Sequence, residues 1–446
     1  MKIQWFSPLL KVFLVAVSVW LSGCAAPAPS APEWKPLDVS NLTGPLTLEQ
    51  CLQLAQQNDM QVVQWKARFE IAEAELITAK TLPNPVFGPS WDDVGLKDDA
   101  GTSISSLTYG VSYPIFFWWP RDKKIAVAKA NRQVEMERIL SEKRQLVVEV
   151  ASAYFNLVAD QRREDLAEHL LQIAGESTRL IQKKRELQMA SDYEAERVRA
   201  EQLQVESQLR EARNQLRLDQ LVFAFALGAD RPFFPAVEDC GDTYIQSIKD
   251  VILGETMPPS LIEDALQADP GWREKKAAVK AAEEQLQVEY RLAFPLTDAS
   301  GSFGPKDAPE GTGSAFSFEF PIPLFDRNRG GIRKAQAELQ TAQAEEEKAR
   351  RTAVAVVAQS WEQYRSLAIQ WSEYTALITE LAQKNEQAAS KLFAAGQIEY
   401  NELLLAQRDN RQSQMDALNV WRDTSTAAWV LSCALGQHDS PADTGR

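Results

Sequence analysis

Residues Phe316–Gln340 read FSFEFPIPLFDRNRGGIRKAQAELQ. The opening residues alternate: Phe316, Phe318 and Phe320 fall on one face, Ser317 and Glu319 on the other. Period two is the mark of a strand with one apolar and one polar side. Pro321 and Pro323 cannot donate to a β-ladder and so end it. Asp326, a favoured N-cap type, and Gly330-Gly331 then precede a helical pattern running to about residue 393. One short strand turns a proline corner straight into one very long helix.

The same order occurs earlier in the chain. Thr108–Ile115 sets Tyr109, Val111 and Tyr113 against Thr108, Gly110 and Ser112, then turns at Pro114. Ile125, Ala128 and Ala130 in the helix beyond match Ile332, Ala335 and Ala337, 207 residues on. Asp59 and Ala72–Leu76 match Asp269 and Ala282–Leu286 at 210, and Glu194 and Leu227-Gly228 match Glu402 and Leu435-Gly436 at 208. An offset this steady is an internal duplication. The 446 residues are therefore two copies of one unit rather than several unrelated domains.

Formal charge is −14, or −16 once Lys2 and Lys11 leave with a leader. An acidic chain has no electrostatic reason to hold nucleic acid. Residues 1–23 have the layout of a signal peptide: Lys2 and Lys11 flank the start, and Val12–Leu21 is apolar but too short to span a bilayer. The sequence LSGC ending at Cys24 resembles a bacterial lipobox. That resemblance implies acylation of Cys24, and Ala25 in the next position implies the outer membrane. Cys51, Cys240 and Cys433 show no metal-ligand spacing; each reads as a buried thiol, although two of them could pair in an oxidising compartment.

The expected organisation follows from composition and period. A Pro- and Ala-rich tether (24–45) precedes repeat one (46–230); a linker (231–259) precedes repeat two (260–436); residues 437–446 are a polar tail. Helices are expected over 47–81, 121–184, 192–227, 260–292, 327–393 and 399–435, with strands over 86–91, 108–115, 296–303 and 314–322. Phe116, Phe117, Trp118 and Trp119 fit a bilayer interface, where amphipathic rings collect. From Ile332 every seventh residue reads Ile, Leu, Glu, Ala, Ser, Leu, Tyr, Leu, Ala, Ala, beside a row of Ala335, Ala342, Ala349 and Val356. A sustained 3.5-residue period means left-handed coiled coils.

Four strands cannot close, and an open sheet edge is not tolerated in hydrocarbon. Pooling strands among identical copies solves this: two copies would reach eight strands and three give twelve, and the resemblance given below favours three. The fold class expected is mainly α: long coiled-coil helices forming a periplasmic α-barrel, with four strands per chain contributing to a trimeric 12-stranded β-barrel.

At this point the residues carry a resemblance. LTLEQCLQLAQQN (46–58), PIPLFDRNRGGIRKAQAEL (321–339), GQIEYNELLLAQR (396–408) and the LG ending each repeat resemble the TolC family of outer-membrane efflux channels, especially the lipid-anchored components of resistance-nodulation-division pumps. The resemblance covers about residues 46–436. It implies a homotrimer set in outer-membrane lipid, serving as exit duct for an inner-membrane pump joined by a periplasmic adaptor. It also implies a gate at the turns 187–194 and 394–402, where Glu194, Glu399 and Glu402 would crowd into a ring with raised carboxyl pKa values. Arg185, Arg197 and Arg408 lie near and would latch it by ion pairs. Leu405 stands where many members have aspartate.

Rival readings fare worse. The chain has no P-loop, HExxH, GxSxG or dinucleotide fingerprint, so no enzyme, cofactor or metal centre is expected. A periplasmic adaptor lipoprotein would have one helical hairpin rather than two, each behind a strand pair. A protein-secretion exit duct remains an alternative within the channel class.

Overall fold

The computed structural model describes residues 35–38, 42, 44–92, 106–115, 118–247, 257–294, 297–305, 312–319 and 322–437. In chain order the elements are α1 (Leu48–Asn58), α2 (Met60–Lys80), β1 (Val86–Asp92), β2 (Ser106–Ile115), α3 (Trp118–Glu186), α4 (Asp192–Ala226), α5 (Thr243–Ser247), α6 (Pro259–Ala268) and α7 (Pro270–Leu292). There follow β3 (Thr297–Pro305), β4 (Thr312–Glu319), α8 (Arg329–Glu373), a π-helical turn (Tyr374–Ile378), α9 (Thr379–Ala394) and α10 (Tyr400–Ala434).

Thr47 opens α1 with the capping box expected from its spacing to Gln50: its hydroxyl accepts from Gln50 N–H at 3.3 Å, and Gln50 Oε1 accepts from Thr47 N–H at 3.0 Å. Periodicity alone predicts one helix over 47–81, and the structure corrects this. Asp59 has extended backbone and accepts from Gln61 N–H at 2.7 Å, so it ends α1 and caps α2. Its match Asp269 divides α6 from α7 in the same way, accepting from Trp272 N–H at 2.6 Å. A side-chain cap that competes with helix continuation is invisible to a hydrophobic period. The two aspartates match across the duplication because they are one cap used twice.

α3 runs 69 residues, ~104 Å at 1.5 Å per residue. It packs on α2, α4, α7 and α10, while α8 packs on α7 and α10. The seven-residue repeat of α8 holds in the row Ala353 and Ser360, both buried, but its companion row shifts by one residue: Val357 and Tyr364 are buried and Val356 is 47% exposed. The seam keeps its 3.5-residue mean spacing with a displaced second row.

Four helix ends share one termination. Gly228, Gly396 and Gly436 have φ of 87°, 71° and 77°, and Gln188 has φ of 56°. In each case this residue's N–H bonds three residues back and the next N–H bonds five back, as in Gly228 to Phe225 (3.0 Å) and Ala229 to Ala224 (3.1 Å). This Schellman closure needs a left-handed residue, which glycine supplies freely. At Gly228 a side chain would also collide with Asn58, whose carbonyl oxygen would lie 2.5 Å from an added Cβ.

The main core lies where α1, α3, α4 and α10 meet the chain between the repeats, with Val150, Phe155, Leu157, Phe223, Leu227 and Trp421 fully buried. Residues 236–245, expected as linker, are strapped to the helices. Val237 bridges to Leu46, and Tyr154, Tyr364 and Trp421 donate side-chain hydrogen bonds to the carbonyls of Glu238 (2.7 Å), Ile245 (2.7 Å) and Gly241 (3.1 Å). Cys51 and Cys433 are buried and Cys240 is half-buried, all as thiols; burial pushes the Cys51 thiol up to about 12.

Candidate functional site

The strands form one antiparallel sheet in the order β1-β2-β3-β4. Residues directly opposite in an antiparallel pair share a face. Register places Gly301 opposite Phe316, Val111 opposite Gly301 and Phe87 opposite Val111. One face therefore carries Phe87, Tyr109, Val111, Tyr113, Phe316 and Phe318. The other carries Ser90, Thr108, Ser112, Ser300, Ser302 and Ser317. Phe87 stacks on Tyr109 at 6.2 Å, and Phe316 lies over Gly301, its ring 3.4 Å from where a Cβ would stand. On the opposite face Ser90 pairs with Thr108, and Ser300 with Ser317, each at 2.6 Å. Yet Phe316 and Phe318 are 81% and 61% exposed. A sheet that shows aromatics outward on one side and hydroxyls on the other separates lipid from water.

The strands are clamped to the helices at their proline corners. Arg291, at the end of α7, donates to the Trp119 carbonyl and the Asp122 carboxylate, and its guanidinium lies 5.3 Å from the centre of the Trp119 ring. Trp118 and Trp119 thus begin α3 rather than end a strand; the side chain of Trp118 and all of Phe116 and Phe117 lie outside the described residues. Asp326, expected as the N-cap of α8, instead accepts from Asn328 N–H at 2.8 Å. Asn328 is the capping residue, left-handed at φ 54°, and its amide donates to the Glu289 carbonyl at 2.9 Å. The expected extension of the fourth strand to 322 lies partly outside the described residues; β4 ends at Glu319.

The expected gate residues sit at the opposite ends of the long helices. Ser191 and Glu194 form a second capping box, with Ser191 N–H donating to Glu194 Oε2 at 2.7 Å. Those hydrogen bonds, from the Ser191 backbone first and then its hydroxyl, hold the Glu194 carboxyl below the usual carboxylate range. Within one protomer that is opposite in direction to the rise expected of a crowded ring. In repeat two, Glu399 occupies the cap position without a side-chain cap bond, and Glu402 is exposed with its N–H on the Glu399 carbonyl at 3.1 Å. The duplicated position thus carries a capping glutamate in repeat one and an exposed one in repeat two. Arg185 pairs with Asp192 at 3.1 Å on the outside of its turn, and Arg197 donates to the Tyr193 hydroxyl at 3.4 Å.

Arg408 reaches a partner that the sequence reading missed. Glu201 on α4 is 6% exposed and accepts from Arg408 and, at 2.8 Å, from Arg411, both on α10. Burial works to raise its pKa, but the two arginines together outweigh it and keep the carboxyl below its ordinary value. Glu201, Glu386, Tyr400 and Arg411 line a cavity of about 30 Å3. Just below it Ile181, Ala195, Val198, Tyr400, Leu403 and Leu404 pack into a small core that joins the two hairpin turns. A signal for Glu201 was present: it interrupts a buried row of Ala195, Val198, Val205 and Leu209.

Comparison with known families places this geometry. The model of the family described as Outer membrane efflux protein matches residues 51–229 and again 261–437. The chain belongs to the outer membrane efflux protein family. It is 24% identical over 399 residues to the cobalt-zinc-cadmium resistance protein CzcC of Cupriavidus metallidurans, covering 88% of this chain and 91% of that one. Its fold is similar to the open-state MtrE outer membrane channel of Neisseria gonorrhoeae (TM-score 0.69, 17% identity, 87% of this chain and 88% of that one). It is equally similar to the outer membrane protein VceC of Vibrio cholerae (TM-score 0.69, 15% identity, 87% and 96%). For an outer membrane efflux protein the sheet is the membrane-crossing part. Among the described residues no helix is long and apolar enough to cross a membrane. The family is one of ducts rather than enzymes, and no group of three metal-ligating side chains occurs among the described residues.

Proposed function

We propose that this chain is the outer-membrane exit duct of a tripartite efflux system, passing divalent transition-metal cations delivered by an inner-membrane pump and a periplasmic adaptor. The observation that carries it is the four-stranded sheet, apolar outward on one face and hydroxyl-lined on the other. Among the described residues β1 and β4 have no strand on their outer sides, so each needs another copy. Three copies closing a twelve-stranded wall meet this need. The helices likewise call for neighbours: α9 buries no residue within the protomer, and Leu381 and Leu392 on it, like Leu203 and Leu218 on α4, are exposed.

The cargo reading rests on the cobalt-zinc-cadmium relative and on net charge. A chain of −14 draws cations and repels anions along a wet bore. Acylation at Cys24, outside the described residues, would tether each copy to outer-membrane lipid. Glu402, with Glu399 and Glu194 beside it, would narrow the entrance at the helical turns. Glu402→Ala should then raise basal current in planar bilayers, and unchanged current would remove Glu402 from the gate.

Cells lacking this chain should retain cobalt, zinc and cadmium and stop growing at metal concentrations the parent tolerates. Unaltered metal tolerance in such cells, with lost tolerance of organic compounds or lost protein export, would reassign the cargo.

A further inference from the structure

A group of exposed cations sits where the sheet hands over to the helices. Three helix ends meet there at one level. Arg291 at the end of α7 donates to the Trp119 carbonyl at the start of α3, and Asn328 at the start of α8 donates to the Glu289 carbonyl on α7. Both starting stretches are basic in an otherwise acidic chain. Residues 119–129 hold Arg121, Lys123, Lys124 and Lys129 against Asp122; residues 326–334 hold Arg327, Arg329, Arg333 and Lys334 against Asp326. Part of this charge is answered within the protomer. Arg121 donates to the Lys80 carbonyl, Lys123 pairs with Glu284 at 2.8 Å, and Lys334 pairs with Glu338 at 3.5 Å. Asp122 is taken by Arg291, and Asp326 accepts from Asn328 N–H. Lys124, Arg327, Arg329 and Arg333 are exposed and form no ion pair among the described residues. The apolar residues directly before these arginines are exposed too: Phe325 is 100% exposed, and Ile322 and Leu324 are largely so.

We propose that this corner is a docking surface for anionic phospholipids of the periplasmic leaflet. Ile322, Leu324 and Phe325 enter the edge of the acyl region, and Arg327, Arg329 and Arg333, with Lys124 at the same level, hold headgroup phosphates. The order along the chain is that of a membrane boundary: a lipid-facing strand, exposed apolar side chains, then cations at the depth where phosphates lie. A planar guanidinium donates paired hydrogen bonds to phosphate oxygens, and clusters of such cations are drawn to anionic lipid. A second copy is the other occupant to weigh, because β4 has no strand on its outer side. A copy closing the wall would bring the start of its β1 beside the end of β4. Residues 76–90, around that start, contain Lys80 and no carboxylate, so they offer these arginines no charge partner. The acidic helices are repelled by the same anionic leaflet, so the corner fixes the depth at which the duct sits. The proposal rests on the sheet as the membrane wall and is independent of cargo and gate.

The test is native mass spectrometry of the full-length protein, first checked for insertion into vesicles, after incubation with equimolar phosphatidylglycerol and phosphatidylcholine. The wild type should retain phosphatidylglycerol several-fold over phosphatidylcholine, and high salt should weaken that preference. The triple variant Arg327→Gln, Arg329→Gln, Arg333→Gln should insert and lose the preference. The double variant Arg350→Gln, Arg351→Gln removes exposed cations further along α8, which pair with Glu347, and should keep it. A wild type that inserts but retains both lipids equally overturns the proposal whether or not the triple variant folds. A triple variant that keeps the preference overturns it equally. If the triple variant keeps the preference and falls apart into single copies, the corner is a contact between copies instead. A wild type that does not insert removes the reading of the sheet, and the proposal with it.

Discussion

Trp421→Ala should lower stability by about 3–5 kcal/mol, the upper range for emptying a packed core site. Trp421 is fully buried, with Phe155 edge-on at 6.4 Å and the Arg162 guanidinium over its face. Its indole N–H donates to the Gly241 carbonyl and to Asp242, each at 3.1 Å. Removing the ring leaves a void and two acceptors without their donor, and it frees Arg162 from a contact that helps hold the strap. Trp421→Phe refills much of the space but not the hydrogen bonds, and should cost about 1–3 kcal/mol. Melting temperature and exchange protection over 237–245 report both. Equal losses in the two variants would show that the hydrogen bonds carry the effect and the ring volume adds nothing.

Phe316→Arg tests which side of the sheet meets lipid. A cation on the lipid face costs up to about 2–4 kcal/mol per copy near mid-membrane, and a trimer bears it three times. Ser317→Arg, on the next residue, points to water and should assemble normally while shifting ion selectivity. The membrane-inserted fraction should collapse for the first variant and hold for the second. The reverse outcome would turn the sheet inside out.

Much of this was legible because period and duplication are strong signals. Alternation at 316–319 carries the face assignment, and matched residues some 208 apart carry the two helical hairpins. What escaped is equally instructive. Asp59 interrupts a helix through its side chain while the hydrophobic pattern runs on, so a reading by period passes over it. The strap at 236–245 looked like a linker because its anchors, Tyr154, Tyr364 and Trp421, stand on helices far off in sequence. Glu194 looked like half of a symmetric pair with Glu402; the serine three residues before it takes it for a cap, and the matching residue in repeat two, Glu399, leaves Glu402 exposed. The sites that chemistry depends on were set by neighbours across helices, and no spacing along one chain reports those.

Planar-bilayer recording of the purified full-length protein, sized in the same detergent, tests the central claim most directly. The account predicts a particle of three copies carrying cation-preferring currents. A water-soluble single copy that leaves the bilayer silent would contradict it.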